Sequence, residues 1–523
     1  MDQPTAHLAI DLGAESGRLI VGALSGASGA QRLEVTEVHR FDNVPLRQLG
    51  ESHWDFESIK REIFIGMKAA AQWCQARSMQ LSSVGADTWG VDFALLGPDA
   101  YLLGPPRTYR DARHAAGLAA VDSAMSPADR FKLSGVVRSS INTLAQLRAR
   151  VEADDRELSR ATHIAMMADL IHQLLSGELT SELCLASTSE LLDVSAEAWN
   201  STLVSLASGR GAQLGVSGPA LNLLPLKAPG TVLGPLRFDV ATRTRVGQQC
   251  MVVLPSSHDT ACAVAAVPAA ASGDKSTWAF LSSGTWSLLG VEAPRPCLTA
   301  AAFEAGLTNE RAVGGGFRTQ RNIVGLFVLT ELRRDLRQRG KNYSYDQLTQ
   351  LAAAALATHG DAIPAIDINA PPLAEPGNAV EKILALIRAV PSPRASKSKS
   401  KPKPAPAMLA TPGPGELCLS ILKGLAAEYA RSIKLIEKLT GRKISVLHIV
   451  GGGSKNDLLN QLTATATGLP VIAGPVEATA IGNVLIQAMG LGAVADLRAL
   501  REIVARSFPS RTFAPSESKE RRA

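Results

Sequence analysis

The sequence predicts an α/β protein made of two similar halves around one cleft, and three observations carry that expectation. The segment "AIDLGAESGRLIVG" reads as an apolar strand, a short polar turn and a second apolar strand. Much later, "AFLSSGTWSLLGVE" repeats the same order, so a second hairpin of the same design is expected there. Finally, "ISVLHIVGGGSKNDLLNQLTATATGLPVIAGP" alternates strand, glycine turn, helix and strand, which puts a largely parallel sheet under that region.

The chain has room for this plan: 523 residues, 46% of them hydrophobic, suffice for two or three domains with buried cores. The formal charge of +6 does not imply nucleic acid, because Arg394, Lys397, Lys399, Lys401 and Lys403 concentrate the excess in one short tract. A nucleic-acid binder spreads basic residues over a folded face with aromatics for stacking, and only 4% of this chain is aromatic. The six cysteines stand singly, without a CxxC pair, and read as reduced thiols. No run of eighteen apolar residues occurs, and the N-terminus "MDQPTAHLAIDLGAE" carries acids where a signal peptide needs a basic start. The cytoplasm is the expected compartment, with no membrane partner.

Taken in order, the opening hairpin places Asp11 at the end of an apolar strand, with Gly13 and Gly17 permitting turn geometry and Ser16 and Arg18 offering donors. Such a turn can aim backbone N–H groups at phosphate oxygens, while Asp11 can hold a hydrated Mg2+ and Arg18 can neutralise charge. "ADTWGVDF" reads as a strand carrying Asp87 and Asp92, with Gly90 between them able to admit a polyol against the backbone and Trp89 forming an apolar wall. A β-bulge with a core tryptophan is the competing reading. A helix-rich run follows from about Ala115 to Leu175.

"VVLPSSHDTACAVAAVP" is an apolar strand, a polar turn and an alanine-rich helix. Ser257, His258 and Asp259 have the residue types of a hydrolase triad, but neighbours on an extended segment point to opposite faces and cannot converge. A carboxylate at a strand-to-helix junction can instead accept a proton from a substrate hydroxyl, with His258 bonding the same substrate. The alternative for Asp259 is a helix cap. "SSGTW" offers Thr285 to a terminal phosphate, and "IVGGGSKND" lets a nucleotide approach its backbone, although it has neither GxGxxG nor GxxxxGK[ST] spacing. Between these segments lies "PSPRASKSKSKPKPAPAMLATPGPG", which cannot bury enough apolar surface to fold and is expected to be a disordered insertion. The helix that begins near Glu477 has Gly482 placed for close packing.

Together, "AIDLGAESGRLIVG", "GADTWGVDFALLG", "YRDAR", "SSHDTACAV", "LSSGTWSLLG", "TNERAVGGGFRTQRNIVGLFVL" and "LHIVGGGSKNDLLNQLTATATGLPVIAGPVEATAIGNVLIQAMGLG" resemble the FGGY carbohydrate kinases, in the family's order, from about His7 to Gly492. "DTWGVDF", "SHDTA" and "AGPVEA" are similar to the branch acting on L-rhamnulose. The resemblance implies two actin-like ATPase (ribonuclease H-like) domains around a deep cleft: an N-terminal domain over 1–249 and a C-terminal one over 250–510, with the insertion at 391–414 and a flexible tail at 511–523. It implies transfer of the ATP γ-phosphoryl group to a sugar hydroxyl, with Asp259 as the general base at the 1-hydroxyl of L-rhamnulose. Gly90, His258, Thr260 and Asn322 would contact the sugar. Ala14, Glu15, Ser16, Gly17, Arg18 and Thr285 would lie on the phosphates, Gly452 and Thr330 at the nucleotide, and Asp11 with Mg2+. Thr330 stands where the family has a glutamine, and Glu15 adds a negative charge beside the phosphates. Other ketoses, such as L-fuculose or L-xylulose, and a catalytically silent actin-like ATPase are the alternatives. A monomer or homodimer is expected.

Overall fold

In the computed structural model, residues 5–48, 50–209, 222–269, 278–390 and 412–516 are described. Contacts divide the chain into two units: Met1–Gly273 with Glu292–Gln320 and Glu477–Pro509, and Asp274–Val291 with Arg321–Val476 and Ser510–Ala523.

The first unit is organised by a six-stranded sheet in the order Val232–Pro235, Met251–Val253, Leu81–Thr88, Thr5–Leu12, Ser16–Ser25, Arg32–Asp42. Thr5–Leu12 and Ser16–Ser25 form the expected antiparallel hairpin, and Leu81–Thr88 and Met251–Val253 add in parallel. Ala6, Leu8, Ile10 and Leu12 are all wholly buried, as strands covered on both faces require. The helix Phe56–Gln75 packs here through Ile59, Ile63, Met67 and Ala70 at three- and four-residue spacing. Its N-cap is Asp55, whose carboxylate accepts from Ser58 N at 2.9 Å.

The second unit repeats the plan. Five of its strands run Ser287–Ala293, Trp278–Ser283, Val446–Val450, Val471–Ala473, Arg511–Phe513. The first pair is an antiparallel hairpin, the next two strands join in parallel, and the last is antiparallel. Hairpin, two parallel strands and an antiparallel edge strand is the order found in the first unit as well, so the repeat legible in the two hairpins extends through both sheets.

Four expectations change. The boundary is not a single cut between 249 and 250: Met251–Val253 completes the first sheet, and the helix Ala478–Gly490 packs on Asp259–Ala265 so closely that a Cβ on Gly482 would lie 1.9 Å from the Cys262 carbonyl oxygen. The tail is not irregular from 511, because Arg511–Phe513 pairs with Val471–Ala473; residues 517–523 lie outside the described residues. Of the insertion, 391–411 lies outside them too, and Pro414 already opens the helix Pro414–Thr440. The "ADTWGVDF" strand ends at Thr88, and Phe93–Leu96 belongs to a different, three-stranded sheet. The helix-rich run is present as His114–Ala124, Pro127–Ser134, Thr143–Glu152, Arg156–Arg160 and Met167–Ser176, interrupted by the strand His163–Met166. Among the described residues no helix is long and apolar enough to cross a membrane.

Candidate active site

In the first unit, three segments end side by side. Asp11 is in register with Arg18 across the hairpin and with Asp87 on the parallel neighbour. Thr88 N donates to the Ser257 carbonyl at 3.0 Å and pairs with His258. The carboxyl ends of parallel strands, where α/β sheets bind ligands, thus bring the Asp11, Asp87 and Asp259 segments together.

The charges there are arranged tightly. Arg18 bridges the carboxylates of Asp11 and Glu477. Burial, with Asp259 and Glu477 adding to it and Arg18 opposing, pushes the Asp11 carboxyl up to about 6. Asp87 is driven well above the usual carboxylate range, first by burial and then by Asp11, although Asn483 Nδ2 donates to its Oδ2 at 2.6 Å. Asp87 Oδ1 is buried without a hydrogen-bond partner among the described residues. A buried carboxylate oxygen left open beside a second carboxylate suits a cation, although no group of three or more acidic, His or Cys side chains converges as a cage among the described residues. Mg2+, which keeps most of its waters and takes one or two carboxylates, is compatible with that donor set.

Asp259 opens the helix Asp259–Ala265, its side chain 35% exposed. One carboxylate oxygen accepts from Thr260 N at 2.5 Å and Thr260 Oγ1 at 3.1 Å. His258 Nε2 lies 3.3 Å from that oxygen. Ser257 Oγ is buried with no hydrogen-bond partner among the described residues, so no nucleophile-to-base bond exists and the triad reading fails on geometry.

The turn Gly13–Ser16 is closed by Gly13 N donating to the Ser16 carbonyl at 2.9 Å, and Asn43 Nδ2 donates to the Gly13 carbonyl at 3.0 Å. Ala14 and Ser16 are partly exposed at the tip. Glu15 is exposed. Gly17 is inside the strand, and a Cβ there would stand 2.2 Å from the Phe41 ring, so packing alone demands glycine. Gly90 is similar: a Cβ would meet Thr188 Oγ1 at 2.8 Å. Asp92 is no free carboxylate. Trp54 Nε1 (2.7 Å), Trp89 Nε1 (2.9 Å), Tyr109 N (3.1 Å) and Gln146 Nε2 (2.9 Å) all donate to it, which makes it the anchor of this loop.

In the second unit, Ser282 pairs with Val450, so the Thr285 turn and the glycine turn that begins at Gly451 follow the same ends of parallel neighbours. Phe327 N donates to the Thr285 carbonyl at 3.0 Å, which seats the helix Phe327–Gln338 on that turn. One turn into the helix, Thr330 Oγ1 lies 2.9 Å from Tyr345 OH. A Cβ on Gly453 would stand 2.0 Å from Ser283 Oγ, whereas one on Gly452 would meet nothing within 4 Å. Asn322 is exposed at the end of Phe317–Ile323. The residues that the motifs did not single out are Glu477, Glu310, Arg318 and Asn483; Glu477, Arg318 and Asn483 meet Arg18, His258 and Asp87, far away in sequence, and Glu310 pairs with Arg318, so no spacing rule marks them.

Two sheets of one topology, each with a hairpin turn and a following polar segment at the same strand ends, define a protein of the actin-like ATPase class. The chain belongs to the FGGY family of carbohydrate kinases: the description of that family's N-terminal domain matches residues 6–261 and that of its C-terminal domain residues 279–491. It is a carbohydrate kinase, with a sugar and ATP as substrates. It is 34% identical over 509 residues to a rhamnulokinase of Bacteroides thetaiotaomicron, covering 97% of this chain and 96% of the relative. A rhamnulokinase of Bacillus subtilis is 33% identical over 520 residues, covering 98% and 96%. Among solved structures, gluconate kinase from Lactobacillus acidophilus superposes with a TM-score of 0.74 at 13% identity, covering 98% of this chain and 94% of that one. Plasmodium falciparum glycerol kinase with ADP gives 0.74 at 12% identity, covering 99% and 96%.

Proposed function

We propose that the protein phosphorylates L-rhamnulose at its 1-hydroxyl with ATP, giving L-rhamnulose 1-phosphate and ADP in L-rhamnose catabolism. The observation that carries this reading is the near end-to-end similarity to rhamnulokinases combined with a partly exposed Asp259 whose segment pairs with the Thr88 strand end.

Phosphoryl transfer needs positioning and charge neutralisation more than covalent catalysis. Asp259 accepts the 1-hydroxyl proton as the oxygen attacks the γ-phosphorus. His258, Thr260, Gly90 and Asn322 orient the sugar. Arg18, the Ala14–Gly17 turn and Thr285 meet the phosphates, Arg18 exchanging part of its Asp11 and Glu477 pairing for phosphate oxygens. Gly452 lets the nucleotide approach the backbone, and Thr330 borders it. Asp11, with Asp87 beside it, would hold Mg2+, which when bound neutralises phosphate charge. A cytoplasmic reaction is consistent with the buried free thiols of Cys74, Cys184, Cys250, Cys262 and Cys418. The protein works as a monomer or homodimer, without nucleic acid or membrane.

An ADP-release assay with Mg·ATP and a panel of L-rhamnulose, L-fuculose, L-xylulose and glycerol tests this. The expected result is sugar-dependent ADP with the highest kcat/KM on L-rhamnulose. Preference for another ketose overturns the substrate, and no sugar-dependent ADP at all overturns the reaction.

A further inference from the structure

Behind His258 lies a buried pair that the phosphoryl-transfer reading does not use. Arg318 is wholly buried and Glu310 nearly so. Arg318 Nη2 has two hydrogens and two partners: Glu310 Oε2 at 2.8 Å and His258 Nδ1 at 3.0 Å. Its Nε donates to the Arg311 carbonyl at 3.1 Å, and Nη1 has no hydrogen-bond partner among the described residues. Burying a guanidinium with one end open is costly, so the arrangement calls for a function.

Chemistry fixes the direction of the Arg318–His258 bond. A guanidinium can only donate, so His258 Nδ1 must be the acceptor and its ring hydrogen must sit on Nε2. Protonating Nδ1 toward Glu310 Oε2, 3.4 Å away, would set two donors against each other at 3.0 Å. The hydrogen on Nε2 therefore faces the Asp259 side, where Nε2 and Asp259 Oδ1 are 3.3 Å apart.

We propose that Arg318 is a positioning residue that locks His258 in the Nε2–H tautomer, with Glu310 holding Arg318 in place, so that His258 offers sugar oxygens a donor and leaves Asp259 as the only proton acceptor. This rests on the role of His258 and Asp259 given above. A histidine free to exchange its tautomer would present the sugar with a lone pair for part of the time and compete with Asp259 for the substrate proton.

A double-mutant cycle in the full-length enzyme tests it. Arg318→Met is expected to lower kcat/KM for the sugar about 10- to 100-fold, while KM for ATP stays within about twofold, since only the sugar-side donor is lost. In a His258→Ala background the same change is expected to have little further effect. Arg318→Lys, which can still donate to Nδ1 and pair with Glu310, is expected to restore much of the loss. Additive losses in the cycle would show that Arg318 acts on stability rather than through His258 and would overturn the proposal. If Arg318→Met does not fold, the double variant Arg318→Met/Glu310→Gln, which leaves no lone buried charge, takes its place.

A second readout does not depend on turnover. Nitrogen-15 NMR of the histidine rings, with His258 identified by the signal lost in His258→Ala, is expected to show hydrogen on Nε2 in the native enzyme and a tautomer mixture without Arg318. Hydrogen on Nδ1 in the native enzyme, or an unchanged pattern in Arg318→Met, overturns the proposal even if no sugar is turned over. Lack of turnover in the native enzyme with the Nε2–H pattern present would count against the proposed reaction alone.

Discussion

Val91 is a β-branched residue at φ 69°, a left-handed conformation that costs about 1–3 kcal/mol and persists only when its surroundings over-determine it. Here they do: Val91 N donates to Thr188 Oγ1 at 3.1 Å, and its carbonyl accepts from Thr143 Oγ1 at 2.6 Å. The bend carries the chain from Asp87 on one strand to Asp92 under the two tryptophans, whose ring centroids are 4.3 Å apart. Gly90→Ala would push Thr188 away from Val91 and is expected to cost about 1–3 kcal/mol. It should also raise KM for the sugar more than KM for ATP, which thermal melting and steady-state kinetics check together. At this scale the sequence marks candidate residues by their place in a turn or at a strand end, as it does Asp11, Asp259 and Gly452. It does not disclose Asp92 as an anchor or Glu477 as the partner of Arg18, because those roles depend on long-range contacts. Gly17 and Gly90 carry a double signal, since a glycine that can admit a ligand is also what a tightly packed neighbour demands.

Adjacent glycines in the turn after Val446–Val450 separate packing from binding. Gly453→Ala is expected to lower stability by about 1–3 kcal/mol, because its Cβ would strike Ser283 Oγ at 2.0 Å. Gly452→Ala is expected to leave the melting temperature nearly unchanged and raise KM for ATP, which would contradict the nucleotide reading if it failed to do so. The helix Met167–Ser176 offers a pH test. His172 Nε2 accepts from Ala86 N at 2.9 Å, and burial lowers its pKa from 6.5 to about 3. A folded pKa below the unfolded value means that the folded state binds fewer protons, so this stabilisation is complete above about pH 6.5 and is lost as pH falls toward 3. His172→Gln, which keeps an acceptor, is expected to be less stable at pH 7.5 and to lose less additional stability on acidification to pH 5, as urea midpoints at both values will show. Helices and hairpins were legible from periodicity and turn residues, but the end of the strand at Thr88 was not: the apolar pattern runs on through Phe93–Leu96 while the hydrogen-bonding partner changes.

At the scale of the molecule, the repeat was visible because each half opens on the same strand, turn and strand pattern. The assembly of the first unit from separate stretches of chain was hidden, since neither the pairing of Met251 with Ser83 nor the seating of Gly482 on Cys262 leaves a mark in local composition. The Lys-, Pro- and Ser-rich tract has the composition of a solvated insertion, so deleting residues 392–407 is expected to leave turnover within about twofold. A large loss would give that tract a part in folding or binding. Whether a single carboxylate takes the sugar proton is decided by the turnover of Asp259→Asn at saturating Mg·ATP and L-rhamnulose, with ATP affinity measured alongside. Nearly intact ATP binding and a kcat about 10²-fold lower or more are expected; turnover like that of the native enzyme would rule out Asp259 as the base.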